Sequence, residues 1–485
     1  MRKILIAFSL FLISVTAGAQ TDSTRQMPPG GFPPGGMPPE GQMPPGGFPP
    51  DGFPPGDFPP DGGPHGPRTA YSKGAKLTVT KDGTFNDLTL KETGSDYNVV
   101  KDTCATATLN RCRIEKLGDT GSRGDNSSFF GINAAVYAAS KGVLTLRDCK
   151  VTTNADGANA FFCYNGGKLY LYNDTCENLS PRSRGIHCTG GNGATVYAYN
   201  CKMVTRKATS STIATDRGGG TVYVNGGYYE ANGEKCAIIY STGDIHVTGI
   251  TGISNSREQG DIADIEGDNS VIIDSCRLTC AGSSRGLMLY QSGSGDASGY
   301  RPLMRVSNST LTLRDSSAVL CEVPTAVNAQ LTLDNCEIHA PSEVLAYVHT
   351  NPNWRNSNAK SLTLTLKNGN YQGKLLHDET GSIAVDIAKN TTWTGCFNPD
   401  NSSRTAADTV VVNGTWELDG DSYADVLIVK KGGVVRTNGH ALHCPTVNNE
   451  GTITETTALR GKQKTLSNSE TAMTASACPT LAWRG

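Results

Sequence analysis

The stretch TVYAYNCKMV (195–204) decides the fold of this 485-residue chain, because variants of it recur along the sequence. Each copy has alternating apolar residues, then a turn, and often a cysteine. The other copies are LTLRDCKV (144–151), LYLYNDTCENL (169–179), TVYVNGGYYE (221–230), SVIIDSCRLT (270–279) and QLTLDNCEIH (330–339). Alternation with a period of two is typical of β-strands that bury one face. The recurring phrase therefore predicts a repeated unit built from strands.

The turn within this phrase returns at nearly constant spacing. Its predicted positions are Cys112, Cys149, Cys176, Cys201, Gly227, Ile250, Cys276, Ser309, Cys336 and Gly369. A period of this size indicates stacked structural units. Each unit has two clear strand phrases, as in IIYSTG (238–243) followed by DIHVTG (244–249). We predict an all-β fold, a right-handed parallel β-helix (a single-stranded solenoid). A β-propeller ranks second, because its antiparallel blades need a longer period.

Both ends of the chain differ from the repeat. Residues 1–19 have a basic start, an apolar run and small residues before Gln20, which predict a secretory signal peptide. Residues 20–70 contain an array of Pro-Pro-Gly-like repeats and are predicted to be a disordered spacer. We place the β-helix at residues 71–460 and a flexible tail at 461–485. The protein is thus expected to be exported, to the cell surface, the periplasm or the medium, with no membrane span.

The composition narrows the classes of function. The formal net charge is −2 at pH 7, and the sequence pI is about 6.5. This balance argues against a nucleic-acid partner. Hydrophobic residues make up 37% of the chain and there are 56 glycines, which suits a thin core with many turns. We predict no cofactor.

The fifteen cysteines have two interpretations. Most recur at coil spacing in predicted core positions, as Cys163 and Cys188 do, which favours buried thiols. Local pairs such as Cys276 and Cys280 could instead form disulfides in an exported protein. No close Cys/His quartet occurs, so we predict no metal site. In the predicted register the inward-facing residues include Leu144, Leu146, Cys149, Val196, Ala198 and Cys201.

Residues that alternate with the core set should form columns on the outer faces. One predicted column contains Thr145, Tyr170, Tyr197, Tyr223, His246, Ile272, Arg305, Thr332 and Thr365, with Tyr172 and Tyr199 beside it. Aromatic rings with a hydroxyl suit contact with sugars. Alternatively, the rings stack on one another and stabilise the sheet. The predicted ligand-binding residues are Tyr170, Tyr172, Tyr197, Tyr199, Tyr223, Tyr240, Tyr290 and Arg217.

A second predicted column, on the preceding strands, is rich in carboxylates. It contains Thr215, Tyr240, Asp264, Tyr290, Glu322, Tyr347 and Asp378, and its neighbours are Arg217, Thr242, Glu266, Ser292 and His349. Carboxylates two rungs apart would be separated by ~10 Å, near the ~6.5–9.5 Å used by inverting glycosidases. The same groups could bind sugar hydroxyls or form a solvated charged face. If the protein is an enzyme, its catalytic candidates are Asp264, Glu266, Glu322 and Asp378.

Four stretches carry a resemblance to a known family. They are GDIHVTGITG (243–252), GDIADIEGDNSVIIDSCRLT (260–279), GLMLYQSGSGDASG (286–299) and SLTLTLKNGNYQGKL (361–375). They resemble exported bacterial adhesin-like β-helix proteins of the pectin-lyase-like superfold, over roughly residues 190–440. That superfold includes pectate lyases, polygalacturonases, tail-spike glycosidases and non-catalytic adhesins, so the resemblance implies the fold and not an activity. The G-H-G and R-I-K signatures of polygalacturonases are absent.

We therefore expect an adhesin-like protein that binds a polysaccharide or a host glycan. The spacer favours a binding role, because a segment that extends outward is more useful to a binder than to a free enzyme. The alternatives are a polysaccharide lyase or glycoside hydrolase, and a structural envelope protein with no small ligand. Arg123-Gly124-Asp125 suggests a second partner, a host-cell integrin.

Overall fold

The computed structural model describes residues 72–118, 120, 124–294, 296–351 and 358–454, and the backbone of one further strand, Leu459–Thr465. All of these residues belong to one compact unit, residues 53–485. Residues 1–71, which include the predicted signal peptide and spacer, and residues 466–485 lie outside the described residues.

Short β-strands make up almost all of the regular structure. In chain order the elements are β1 (Gly74–Val79), β2 (Gly83–Asn86), β3 (Thr89–Glu92), β4 (Tyr97–Asp102), β5 (Thr106–Asn110), β6 (Arg113–Leu117), α1 (Gly124–Phe130), β7 (Val136–Ala139), β8 (Val143–Arg147), β9 (Lys150–Asn154), β10 (Phe161–Tyr164), β11 (Lys168–Tyr172), β12 (Thr175–Asn178), β13 (Ile186–Thr189), β14 (Thr195–Thr205), β15 (Ile213–Asp216), β16 (Thr221–Ala231), β17 (Ile239–Ser241), β18 (Asp244–Thr248), β19 (Thr251–Ser254), β20 (Ala263–Glu266), β21 (Ser270–Asp274), β22 (Arg277–Cys280), β23 (Arg285–Tyr290), β24 (Leu303–Ser307), β25 (Thr310–Leu313), β26 (Val319–Val323), β27 (Asn328–Asp334), β28 (Glu337–His339), β29 (Val344–Val348), β30 (Ser361–Lys367), β31 (Asn370–Gln372), β32 (Lys374–His377), β33 (Ile383–Ile387), β34 (Thr392–Thr394), β35 (Thr409–Val412), β36 (Thr415–Glu417), β37 (Ser422–Tyr423), β38 (Val426–Val429), β39 (Val434–Arg436), β40 (Leu442–Asn449), β41 (Thr452–Thr454) and β42 (Leu459–Thr465).

The strands form three parallel sheets, and each strand pairs with its counterparts in the neighbouring coils. Sheet A has twelve strands, in the order β1-β4-β7-β10-β13-β15-β17-β20-β23-β26-β29-β32. Sheet B has twenty-five strands and contains two ladders that share the long strands β14 and β16. Sheet C, near the C-terminal end, has the order β31-β34-β36-β39-β41. This topology is the predicted parallel β-helix.

Left-handed residues form the corner between the two ladders of sheet B. Asn173, Asn200, Asn308 and Asn335 have φ values of 56°, 53°, 49° and 52°, a conformation that Asn tolerates better than most residues. Their amides also bond from coil to coil, since Asn200 Nδ2 donates to Asn173 Oδ1 at 3.1 Å and Asn335 Nδ2 donates to Asn308 Oδ1 at 2.9 Å. The corner is therefore stabilised along the helix axis as well as within each coil.

The core runs through the interior of the solenoid. The inward-facing residues predicted from the repeat are all buried, as Leu144, Val196 and Ala198 illustrate with 0% exposure. Fourteen cysteines lie in the described residues; all are free thiols and all but Cys104 are buried. The buried-thiol interpretation is thus confirmed for these residues, and Cys276 and Cys280 are not bridged.

One predicted turn position is wrong. Thr175 pairs with Lys150 in one neighbouring coil and with Lys202 in the other, so Asp174, and not Cys176, lies between Cys149 and Cys201 at the corner. The left-handed residue of this coil is Asn173, and the residue after it takes the corner position. Asp174 is buried and accepts hydrogen bonds from the backbone N–H groups of Cys149 (2.7 Å) and Tyr172 (3.0 Å). Cys176 lies two residues further on, in β12.

Candidate functional site

Four aromatic residues stack across the outer face of sheet B, in the register that the sequence predicts. This aromatic ladder consists of Tyr170, Tyr197, Tyr223 and His246, which are paired in turn along β11, β14, β16 and β18. Successive ring centroids are 5.0, 5.2 and 4.9 Å apart. Beside the ladder, Tyr172 and Tyr199 stack at 5.0 Å.

The faces of these rings are occupied by their neighbours. The rings of Tyr197 and Tyr223 have an aromatic ring on either side, and the guanidinium of Arg147 lies 4.1 Å from the ring centre of Tyr172. Edges and hydroxyls therefore face the solvent, and Tyr199 and Tyr223 are 39% and 40% exposed. The structure shows the ring-on-ring stacking that was one of the two interpretations. A sugar at the ladder would contact ring edges.

A shallow polar cavity, open to solvent, adjoins the ladder. Its volume is about 300 Å³, and its lining residues are Asp244, Asp268, Asn269, Ser270, Arg301, Leu303 and Gln330. Four of them form one register column across β18, β21, β24 and β27. On the same strands and the same face, two residues further along, lie His246, Ile272, Arg305 and Thr332, which continue the column of the ladder. The cavity and the ladder therefore form one continuous surface.

Hydrogen bonds hold the polar groups of the cavity in place. Arg301 donates to Asp268 Oδ2 through Nη2 at 2.8 Å and Nε at 3.2 Å, and its backbone N–H donates to Asp268 Oδ1 at 2.6 Å. These bonds hold the pKa of Asp268 below its usual value. Ser270 donates to Asp244 Oδ1 through both its hydroxyl and its backbone N–H, at 2.6 and 3.1 Å. The Arg301 side chain is 71% exposed, so a fixed ion pair borders an open cavity.

Sequence reasoning missed this cavity. The column from Asp244 to Gln330 resembles the ordinary alternation of an exposed strand face. Asp268, Asn269 and Arg301 lie in connections outside the strands, where no repeat predicts their position. The available signal was the long step from Cys276 to Ser309, which indicates an inserted loop, and inserted loops commonly carry binding residues.

The predicted carboxylate column on sheet A needs three corrections. The observed register pairs Ala214 with Tyr240 and then runs through Asp264, Met288, Glu322, Tyr347 and Leu376. Thr215 is not in it: it is buried, and its hydroxyl lies 3.1 Å from that of Ser241, because a one-residue slip turns a side chain to the opposite face. Tyr290 pairs with Glu266 instead. Asp378 follows β32 and accepts hydrogen bonds from Thr350 and Thr380.

The residues of this column are also buried, whereas the sequence predicts an exposed face. Tyr240, Asp264 and Glu322 are 5%, 4% and 8% exposed, and Glu266 and Tyr290 are fully buried. Two of the predicted ligand-binding tyrosines, Tyr240 and Tyr290, are thus not at the surface.

Segments outside the strands cover this face of sheet A. Phe129 of α1 lies over it and accepts a hydrogen bond from Thr189 through its backbone carbonyl at 3.0 Å. Arg217, a further predicted ligand-binding residue, is half-buried between the ring of Phe129, 4.1 Å away, and the carboxylate of Asp296, 3.3 Å away. The coil repeat contains no signal for these covering residues.

A buried charged network lies further along the same sheet. Arg285 binds Asp261 at 2.6 Å and Glu322 at 2.9 Å, and His349 Nε2 lies 2.7 Å from Glu322. Burial opposes ionisation of Glu322, but the hydrogen bond with His349 and the charge of Arg285 hold its pKa below the usual value. Burial and the adjacent Asp261 raise the pKa of Asp264 well above its usual value. The pKa values of the two carboxyls are therefore shifted in opposite directions, upward for Asp264 and downward for Glu322.

Glycoside hydrolysis uses two carboxyls whose pKa values are shifted apart in this way, but the geometry here is closed. Asp264 and Glu322 are two rungs apart, as predicted, with Met288 between them in the column. Met288 is fully buried, so a glycosidic bond placed between the two carboxyls would have to displace it. Glu266, a further catalytic candidate, accepts hydrogen bonds from the hydroxyl and backbone N–H of Ser292 at 2.5 and 3.1 Å. Burial raises the pKa of Glu266 to about 7.

The tripeptide 123–125 is only partly described, because Arg123 lies outside the described residues. Gly124 and Asp125 belong to the first turn of α1. Asp125 lies 3.7 Å from the guanidinium of Arg182. The integrin prediction remains untested.

Comparison with known proteins assigns no function. No family model matches the chain, and no curated protein is similar to it. Within the described ranges, no group of three or more His, Cys, Asp or Glu side chains could hold a metal ion. No described helix has the length and apolar character needed to cross a membrane.

Proposed function

We propose that this protein is an exported, adhesin-like binding module that holds a carbohydrate in the polar cavity beside the aromatic ladder. The observation that carries the proposal is the cavity itself, in which a fixed Asp268–Arg301 pair and the side chains of Asp244 and Gln330 adjoin exposed aromatic edges. Sugar hydroxyls both donate and accept hydrogen bonds, so a mixture of carboxylate, amide and guanidinium groups complements them. Export is an expectation from the sequence.

Binding to a panel of plant, host and microbial polysaccharides tests this proposal. The purified full chain is incubated with each polymer, and the bound fraction and the product chain length are followed in the same samples. We expect retention without shortening of the polymer. Arg301→Ala should weaken retention roughly tenfold or more, because a fixed charged donor at a binding site contributes about 1.5–3 kcal/mol.

The matched control is Arg277→Ala, an exposed arginine on β22, outside the cavity. We expect it to bind as the unsubstituted protein does. Binding at the cavity would be contradicted if the unsubstituted protein, Arg301→Ala and Arg277→Ala were all retained equally, or if none of them were retained. Absence of retention on every polymer would leave the structural envelope role.

Catalysis by a polysaccharide lyase or glycoside hydrolase is the second candidate function. The observation that favours it is the opposite pKa shifts of Asp264, which is raised, and Glu322, which is lowered, because perturbed pKa values cluster at active sites. Shortened polymer chains that disappear with Asp264→Asn and with Glu322→Gln, while both variants keep the far-ultraviolet circular dichroism of the β-helix, would support it. The buried Met288 between the two carboxyls is the reason that it ranks second.

A further inference from the structure

We infer that the polar cavity selects uncharged glycans and excludes polyanionic ones such as polyuronates. This inference rests on the proposed function, since it names the substrate class of the same site. It follows from the charges of the surface around the cavity, from the ion pair between Arg301 and Asp268, and from the remaining hydrogen-bonding groups of the cavity.

Carboxylates outnumber cations on this surface. Asp244 and Asp268 line the cavity, and Asp274 and Asp334 lie at the ends of β21 and β27, next to the column that continues the ladder. The cations of the same surface are Arg301, Arg305 and Lys367, the last of which is paired with Asp334 in the register. A bound polyuronate would bring one more carboxylate per sugar into a region that already has a net negative charge, and like charges at short range repel.

Arg301, the cation that lines the cavity, is already paired with a carboxylate of the protein, Asp268. Nε and Nη2 of Arg301 both donate to one oxygen of Asp268, so two of the donors with which a guanidinium would hold the carboxylate of a uronic acid are already engaged. Asp274 accepts hydrogen bonds from Ser307 at 2.6 Å and Asn308 at 2.8 Å, which lower its pKa and keep it charged. Arg305 is exposed, but it lies in the neighbouring column and not in the lining of the cavity.

Hydroxyl groups, in contrast, find partners on this surface. Asp244 is exposed and its carboxylate accepts hydrogen bonds, while the amide of the exposed Gln330 both donates and accepts. Leu303, between Ser270 and Gln330 in the register, supplies an apolar contact for the carbon face of a sugar. An uncharged sugar therefore gains contacts without meeting repulsion.

Competition between neutral and anionic polymers tests the inference. The full chain is titrated with neutral polymers (mannan, arabinoxylan and β-glucan) and with polygalacturonate and alginate, at about 50 and about 500 mM NaCl. We expect at least one neutral polymer to bind about tenfold or more tightly than either polyuronate. Its affinity should change less than about twofold with salt, because screening acts on charge–charge contacts.

Asp244→Asn gives the decisive comparison, because it removes one negative charge and keeps an oxygen for Ser270. We expect it to raise polyuronate binding about threefold or more at low salt, where screening is weakest, and to weaken neutral-polymer binding, because the amide has one acceptor oxygen where the carboxylate has two. The matched control is Asp82→Asn, an exposed aspartate in the first coil that also accepts a backbone hydrogen bond, from Thr106 at 2.7 Å. It should change neither affinity.

Two outcomes would overturn the inference, and they can be told apart. Tighter binding of a polyuronate that weakens with salt and is lost with Arg305→Ala would show an anion-selective site, and the proposed function would stand. Binding of no polymer would remove the proposed function and the inference together.

Discussion

Arg285 shows how a single side chain connects coils that are far apart in sequence. It is 5% exposed and bonds to Asp261 and Glu322, which lie on opposite sides of it in the solenoid. Removing one partner of a buried ion pair leaves uncompensated charge, which typically costs about 3–5 kcal/mol. We expect Arg285→Met to lower the free energy of unfolding by about that amount, measured by urea unfolding.

The control at this scale is Arg277→Met, at an exposed position on β22. We expect a change below about 0.5 kcal/mol for it. If Arg285→Met were equally mild, the network would be solvated in solution, and the covered face of sheet A would be open.

Asp174 and Thr215 show which single residues could be predicted. Inward-facing residues such as Val196 and Ala198 were predicted correctly, because alternation within a strand determines them. Asp174 was not, because the repeat favoured a cysteine at the corner, and only the pairing with both neighbouring coils identifies the residue that occupies it. Thr215 lies on a strand of four residues, which is too short for the pattern to determine its face.

At the scale of elements, the aromatic ladder ties four strands of sheet B together. Tyr197 stacks between Tyr170 and Tyr223, and an aromatic pair contributes about 0.5–1.5 kcal/mol beyond its buried area. We expect Tyr197→Ala to lower the free energy of unfolding by about 1–3 kcal/mol, measured by urea unfolding. Tyr300→Ala is the control, because the side chain of Tyr300 is 59% exposed and it should have almost no effect.

The same pair of variants separates the two interpretations of the tyrosines. A loss of stability with Tyr197→Ala and unchanged polysaccharide binding would make the ladder a structural element. Unchanged stability with lost binding would mean that the rings contact the ligand directly, contrary to the stacked geometry.

Registers on the two large sheets differed in how well they could be predicted. The ladder column on sheet B is predicted without error, since each of its residues lies four positions before the recurring corner, as Tyr197 does before Cys201. On sheet A, strands such as β17 have only three residues and are flanked by connections of variable length. A shift of two residues there moved Tyr290 and Asp378 out of the predicted column.

For the whole molecule, buried carboxyls should make stability depend on pH. Burial raises the pKa of Asp174, Asp216 and Glu266 to about 7, against about 4 in an unfolded chain. Between about pH 4 and pH 7 the folded state therefore binds more protons than the unfolded state, so the free energy of unfolding falls as the pH rises. His377 acts in the same direction: burial opposes its charge, but the hydrogen bond to Asp408 raises its pKa. His187 opposes this trend below about pH 6.5, because burial lowers its pKa.

We expect the protein to be less stable at pH 8 than at pH 5, by roughly 3 kcal/mol or more, in urea unfolding. Asp174→Asn should reduce that difference, since it removes one of the buried carboxyls whose pKa is raised. Asp82→Asn, at an exposed position, should leave it unchanged. Higher stability at pH 8 would mean that these carboxyls are ionised in the folded protein.

The sequence by itself determined the class of fold, the coil period, the inward-facing residues and the aromatic column, because all of these repeat along the chain and a repeat is readable without a structure. The signal peptide and the spacer were also readable from composition and remain predictions. Only the tertiary structure decided that the carboxylate column is covered, that Arg285 links it, and that a polar cavity adjoins the ladder. These features depend on irregular segments between strands, such as α1 and the connections that carry Asp268 and Arg301. Their positions follow from contacts between coils, which no local pattern encodes.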